Sequence, residues 1–480
     1  MFRLIQNEYI KIFSKASTYV MLVILLICAV GLQCIVPLAT KGLTALDDFW
    51  YEEEDLEDFY ESELSWYQNE YESGFYTEEE YKMESELINF CKENQLPIKY
   101  YYGMEWENDA LHAAFYTFYG ICLESEEGSA EYLAAEEALG ICKNAILTDD
   151  WKSYYELMNE ACKDGLDAGY NWSLTTDAYY YSYYLEHDKE PDTSSWEYNT
   201  LTTYFSAKES LESYEDTIAQ GAAIDEEAYE QAKSTYLIAK YRLDNDVDTA
   251  VYYDSTMLTD TIDSTYFTGL SLTTALASII SILMIIIAGG IIAKEFSQGT
   301  IKFYLINPIS RGKLFWSKYL TVFSLAILLA IVSFIISVLS GLIFGASEIN
   351  TPYLYVVNDT VQSYSAFWYV LKLFAYSCVG MITTTTLAFM ISSLMRASSV
   401  AIGLSMGVQF AGSTITSLFS RFELDFGRYF LFANTDLVSI ASKTYSLFPN
   451  HTISFALAVI AVHMVIFLLT AYDAFTRRDV

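Results

Sequence analysis

Gly403-Leu404-Ser405-Met406-Gly407 has the G-x-S-x-G spacing that presents a nucleophilic serine for acyl transfer. That chemistry needs a sharp strand-to-helix turn to expose the hydroxyl. Here the pentapeptide lies inside a long apolar run, so Ser405 is expected on a helix with no catalytic role. Arg311-Gly312-Lys313-Leu314 has the outline of a phosphate-binding loop, but Asn307 stands at the first glycine position and Leu314 at the Ser/Thr position. The chain does not bind and split ATP by that route. Asp244, Asp246 and Asp248 are spaced like the first ligands of a calcium loop, yet Thr249 replaces the turn glycine and Ser255 the closing glutamate. His112, His187, His451 and His463 are scattered, with no H-E-x-x-H or triad spacing. Cys91, Cys122, Cys142 and Cys162 fit no zinc motif; on an oxidising side they are able to pair, but two fall on apolar helical stripes and buried thiols are the expectation. No catalytic residue, no metal and no directly bound cofactor is therefore expected.

The elements that carry these residues are set by charge and hydropathy. The 480 residues hold 62 acids and 27 bases, a net of −35, and the charge is segregated. Residues 45–265 contain 53 acids and 11 bases, a net of −42, whereas the rest of the chain has a net of +7. An acidic block in a mildly basic, very apolar frame excludes nucleic acid as a partner and points to membrane lipid. A hydrocarbon layer about 30 Å thick needs about 20 apolar residues of helix. Six stretches meet that length: 18–38, 270–293, 320–344, 373–394, 400–419 and 453–472. The first is too long for a signal peptide and lacks a clear cleavage site after Pro37, so it is read as a retained span.

Short flanks orient the spans. Eleven Lys and Arg fall on the N-terminal side of the membrane and five on the other, which predicts both termini cytoplasmic and the acidic block, between the first and second spans, extracellular. In residues 1–17, Phe2, Ile5, Tyr9 and Ile12 recur at helical spacing among Arg3, Lys11 and Lys15, the pattern of an amphipathic helix at the inner interface. Within 45–265 the apolar spacing is also helical. One stripe runs through Tyr132, Ala135, Leu139, Cys142 and Ile146, a second through Trp151, Tyr155, Met158 and Cys162 up to Gly165, and a third through Tyr229, Ala232, Tyr236, Ala239 and Leu243. The expected fold is an α-helical membrane protein with six transmembrane helices and a large, mainly α-helical, Tyr-rich extracellular insertion.

Between the second and third spans, residues 294–318 have a distinct pattern. Glu295 follows the span directly; Gly299 and Thr300 suit a helix end and a new cap; Pro308 stops a short helix with an apolar face of Ile301, Tyr304 and Leu305; Ser310 caps the next. Arg311, Lys313 and Lys318 then suit the lipid headgroups. Such an amphipathic piece between two spans is a mechanical lever. The order Glu295, Gly299-Thr300, Pro308-Ile309-Ser310-Arg311 and Lys318, with Asn7-Glu8-Tyr9-Ile10-Lys11-Ile12 at the start and Phe475-Thr476-Arg477-Arg478-Asp479-Val480 at the end, resembles the permease subunit of a bacterial type-2 ABC exporter. The resemblance covers about residues 1–42 and 268–480 and none of the acidic block.

That resemblance implies a plasma-membrane permease, multi-pass and non-catalytic, that works as a dimer with a second copy or a paralogue. ATP and Mg would be handled by a partner ABC ATPase, docked on 294–318 through Glu295, Gly299, Thr300, Pro308, Ser310, Arg311 and Lys318. Intramembrane polarity nominates Thr383, Thr384, Gln409 and Ser413 as pathway lining, with packing through their own helices the competing reading. Gly341 and Gly345, and Gly403 and Gly407, have the spacing that lets helices approach closely in lipid. Residues 420–452 are expected outside and 473–480 inside, with Asp473 one turn from Arg477. The substrate class stays open among cationic or antimicrobial peptides, lipids and drugs. The competing function is a membrane-anchored receptor or immunity protein that binds cationic peptide through its acidic domain.

Overall fold

The computed structural model describes residues 1–52, 56–102, 105–167, 173–193, 195–257, 259–300, 310–442, 447–448 and 451–477. Most of these are helical. The chain divides into two compact units, one of Met1–Ala39, Ala223–Tyr241 and Val247–Val480, the other of Thr40–Ala222 and Arg242–Asp246. The acidic unit is thus shorter than the charge boundary at 45–265 suggests. The helix Glu226–Asp244 lies with the apolar unit as far as Tyr241, because Ile238 is buried there against Ala250, Tyr252 and Leu354.

Among the described residues, six helices in the apolar unit are long and apolar enough to cross a membrane: Ala16–Ile35, Tyr266–Ser297, Arg311–Ile343, Ala366–Leu394, Ser398–Arg421 and Ile453–Thr476. They are named here the first to sixth spans, and most are longer than hydropathy alone defines. The first belongs to a helix that continues to Glu52. One core joins the first, second, third, fourth and sixth of them, built from Leu276, Ile280, Met284, Phe315, Val322, Leu325, Val370 and Phe389 among others, and Ala401 of the fifth packs in a second cluster with Ala293, Leu387 and Ile391. The second span packs along the fourth, and the fourth also along the sixth.

Close approach depends on single residues. A Cβ on Gly341 would lie 2.9 Å from Gln33 Oε1 and 3.0 Å from Tyr266 Cε2, so this glycine lets the first and third spans meet around the start of the second. Gln33 Nε2 donates 2.7 Å to the buried Gly269 carbonyl and ties the first span to the second. Gly289 admits Ile402 of the fifth span in the same way. Among the described residues nothing beyond their own helix lies within 4 Å of such a Cβ on Gly403 or Gly407, so that glycine pair faces open space there. The surroundings of Gly345 lie outside the described residues. Ser405 is buried and donates to the Ala401 carbonyl in mid-helix, which removes it from nucleophilic chemistry.

A sheet that helical periodicity does not anticipate joins two distant segments of the apolar unit. Strands β1 (Val251–Asp254) and β2 (Thr259–Ile262) pair antiparallel, as do β3 (Pro352–Val357) and β4 (Thr360–Ser365), and β1 meets β3 in parallel through Val251 and Tyr353. The order is β2-β1-β3-β4. Asn358 and Asp359 both have positive φ, 50° and 59°, the conformation that a two-residue hairpin turn requires. The sheet leads directly into the second span through Ser264, which caps the following helix at Phe267 N, and into the fourth through Ser365.

The acidic unit is helical where its apolar stripes place helices. Ala130–Thr148 is capped by Ser129, and Trp151–Asp167 begins after Asp150, whose carboxylate accepts from Ser153 N. The latter helix runs past Gly165. Its core is tyrosine-rich: Tyr60, Tyr154, Tyr155 and Tyr184 are all buried, and Tyr155 meets Tyr181 edge to face at 4.9 Å. All the cysteines are free thiols, with Cys91, Cys142 and Cys162 buried, and burial pushes the Cys91 thiol up to about 12. Asp246, of the acidic triplet, pairs with Lys189 at 3.0 Å.

Candidate functional site

The N-terminal helix Phe2–Phe13 turns into the first span at Ser14 and Lys15, and the buried Thr18 hydroxyl locks that turn by donating 2.6 Å to the Ile12 carbonyl. Its inward face is not wholly apolar. Glu8 is buried beside Ile12, while Phe2 is largely exposed. An acid survives there because two lysines meet it.

Lys318, in the third span, has no solvent-exposed side-chain surface. Its Nζ donates 2.6 Å to Glu295 Oε1 and 2.9 Å to Glu8 Oε2. Lys11 Nζ closes the figure, 3.2 Å from Glu8 Oε1 and 3.3 Å from Glu295 Oε1. Two acids and two lysines thus alternate in a charge-neutral ring that clasps the N-terminal helix, the end of the second span and the start of the third. Buried charge is tolerated only when paired and hydrogen-bonded in this way. Glu295 Oε2 is buried and lacks a hydrogen-bond partner among the described residues. A cavity of about 430 Å³ adjoins the ring, lined by Glu8, Lys11, Lys15, Lys294, Glu295 and Thr300. Desolvation, and after it the charge of Lys294, lowers the Lys15 ammonium below its usual range.

The position of Glu295 is fixed by a break in the second span. The helix stops at Ile291 and resumes as Ala293–Ser297. Ser392 Oγ of the fourth span accepts the two freed amides, from Ile292 at 3.2 Å and Ala293 at 3.0 Å, all of them buried. Gly299 then takes a left-handed φ of +66°, and the Thr300 hydroxyl donates 3.4 Å to the Glu295 carbonyl; the amides it could cap lie outside the described residues. Pro308, with Ile301, Tyr304 and Leu305, lies outside the described residues. Beyond them Ser310 Oγ accepts from Lys313 N, as its capping role requires, and Arg311 Nη1 donates 2.9 Å to the Thr476 carbonyl at the end of the sixth span. Asp473 and Arg477 pair in the same region at 2.6 Å. Residues 301–309 are therefore bracketed by two anchors, the ring on one side and the sixth span on the other.

Glu295 and Lys318, both singled out by spacing, thus meet directly. Ser392 is found only in three dimensions, and Glu8, quoted above within the N-terminal motif, gains its role only beside Lys318. Of the four nominated lining residues, Thr384, Gln409 and Ser413 share a cavity of about 510 Å³ with Ser278 and Ser281 of the second span. Thr383 is buried away from it. The hydroxyls of Thr383, Thr384, Thr385 and Thr386 all donate to carbonyls of their own helix, so that turn is self-satisfied. Gln409 Oε1 has no partner among the described residues.

Six apolar helices, three of them tied to the N-terminal helix and to one another by buried contacts and a charge clasp, define a mostly helical, multi-pass membrane protein. The chain belongs to the family described as "Protein of unknown function (DUF2705)", whose profile matches residues 233–480. Two similar proteins come from Bacillus subtilis (strain 168). "Uncharacterized protein YhcI" is 33% identical over 296 residues, covering 58% of this chain and 88% of its own length. "Uncharacterized membrane protein YdbK" is 32% identical over 221 residues, covering 45% of this chain and 85% of its own. At those coverages both relatives are shorter than this chain.

Proposed function

We propose that the chain is the membrane-spanning subunit of an ATP-driven exporter of the type-2 ABC class, with the energy supplied by a separate ATPase subunit. The observation that carries this reading is the closed ring of Glu8, Lys318, Glu295 and Lys11. A push on residues 301–309 reaches the second span through Glu295, the third through Lys318 and the N-terminal helix through Glu8, while Arg311 passes it to the sixth span. Rigid coupling of that kind suits a lever and is more than an anchoring loop needs. In this reading both termini and residues 294–318 are cytoplasmic, the acidic unit is extracellular, and two copies or a copy and a paralogue enclose the path. The cavity that Thr384, Gln409 and Ser413 share, with the unsatisfied Gln409 amide oxygen among its polar groups, supports a polar route between spans. The competing receptor reading rests on the acidic unit, most of which lies outside the family match; of the ring, Glu295 and Lys318 lie within that match and Glu8 and Lys11 outside it. The test is ATPase coupling in the purified complex: Glu295→Lys should abolish coupling while membrane insertion persists, and unchanged coupling refutes the lever.

A further inference from the structure

The sheet end of the apolar unit holds a cavity of about 640 Å³ that the transport reading does not use. It lies between the helix Glu226–Asp244 and strands β2 and β3, with Tyr369 at the start of the fourth span on its wall. Its size is that of a small-molecule site. Asp260 on β2 lines it and is only half satisfied. Asp260 Oδ2 accepts 2.6 Å from the Tyr369 hydroxyl, while Oδ1 is closed to water and has no hydrogen-bond partner among the described residues. An unfilled buried carboxylate oxygen costs free energy that a donor would return. The neighbouring lysine does not fill it: Lys372 Nζ stands 4.8 Å over the Tyr369 ring instead. Lys233 is engaged by Asp359 at 2.7 Å on the cavity wall.

Ring walls complete the environment. Tyr353 stacks on Tyr369 with centroids 3.9 Å apart and planes 20° from parallel, and Tyr253 and Tyr355 also line the space. Flat aromatic surface beside a carboxylate favours a planar, delocalised cation, which stacks and donates N–H at once. A metal ion is the poorer fit, because the described residues contain no group of three His, Cys, Asp or Glu able to hold one.

We propose that this cavity binds an amidinium or guanidinium cation, stacked against the tyrosine wall and paired with the Asp260 carboxylate. The cation is either a small molecule or an arginine side chain of a peptide, and the site stands whether or not the chain is a permease. Because β2 leads into the second span and β4 into the fourth, occupancy stiffens the connection between those spans.

The test is calorimetric titration of the full chain in detergent with benzamidine, with its neutral isostere benzamide, and with an arginine-containing tripeptide amide. Benzamidine should bind at least about tenfold more tightly than benzamide, and Asp260→Asn should erase that preference. The tripeptide binding through the same residue assigns a peptide source, and benzamidine alone assigns a small molecule. Hydrogen exchange on the unmodified chain should show benzamidine protecting residues 251–262 and 352–365, a readout that needs no variant. Equal affinity for benzamidine and benzamide, binding unchanged by Asp260→Asn, or protection confined to the acidic unit overturns the proposal.

Discussion

Lys318→Met removes the one ring member with no solvent contact. The two carboxylates it leaves are 5% and 11% exposed, and Lys11, 46% exposed, is the ring lysine that remains for both. At an effective dielectric of about 20, each contact at 2.6 to 2.9 Å contributes an attraction of about 6 kcal/mol, most of it offset by desolvation of the ions. Breaking a buried pair by removing one partner costs about 3–5 kcal/mol, because the partner stays buried without compensation. Lys318→Met should therefore lower stability by about that amount in reversible mixed-micelle unfolding followed by far-UV circular dichroism. Glu295→Gln added to Lys318→Met should recover part of the loss, since the uncompensated charge then disappears. A loss below about 1 kcal/mol, or a double variant no more stable than the single, would refute the reasoning, for either result is what an exposed pair would give.

Ser392→Ala strips the acceptor from two buried amides and should cost about 1–3 kcal/mol in the same assay, with faster amide exchange at Ile292 and Ala293. Gly412→Ala drives a Cβ into the edge of the Phe432 ring and should destabilise by about 1–3 kcal/mol, whereas Gly403→Ala, with open space around it among the described residues, should be neutral or gain up to about 1 kcal/mol. In the acidic unit, Asp109 lies in a groove with Tyr154, Tyr181 and His112; its residue surface is open at the mouth, but desolvation of the carboxyl pushes it up to about 6. The folded unit then holds that proton more tightly than the unfolded chain, so this stabilisation is full below about pH 4 and fades as pH rises through about 6. Asp109→Asn should gain on the unmodified protein across that window and level off above it in denaturant unfolding at stepped pH; a difference independent of pH contradicts the assignment. His112, which desolvation lowers, titrates in both proteins.

Hydropathy located the membrane helices well, because length and apolarity are properties of contiguous sequence. Their ends were harder. Tyr266 and Ala366 begin spans earlier than apolarity alone suggests, since Tyr266 packs into the core around Gly341 and Ala366 continues from β4. The sheet was missed for a different reason. Asn358-Asp359 between Pro352–Val357 and Thr360–Ser365 is a local hairpin signal, but the parallel pairing of Val251 with Tyr353 has no local signature at all. At the candidate site, Glu295 and Lys318 were legible through their order in one segment. Glu8 was not, because it sits 310 residues from Lys318 in a helix whose other charges are basic, and burial of an acid there makes sense only once the lysine is seen beside it. Ser392, about 100 residues from the amides it caps, is hidden in the same way.

The measurement that bears most directly on the central claim is co-purification from native membranes, gently solubilised, with and without Glu295→Lys. The account predicts an ABC ATPase at about one copy per permease chain, with ATPase stimulation lost in the variant. An intact, well-folded chain that recovers no ATPase would contradict it and would move the function to the acidic unit.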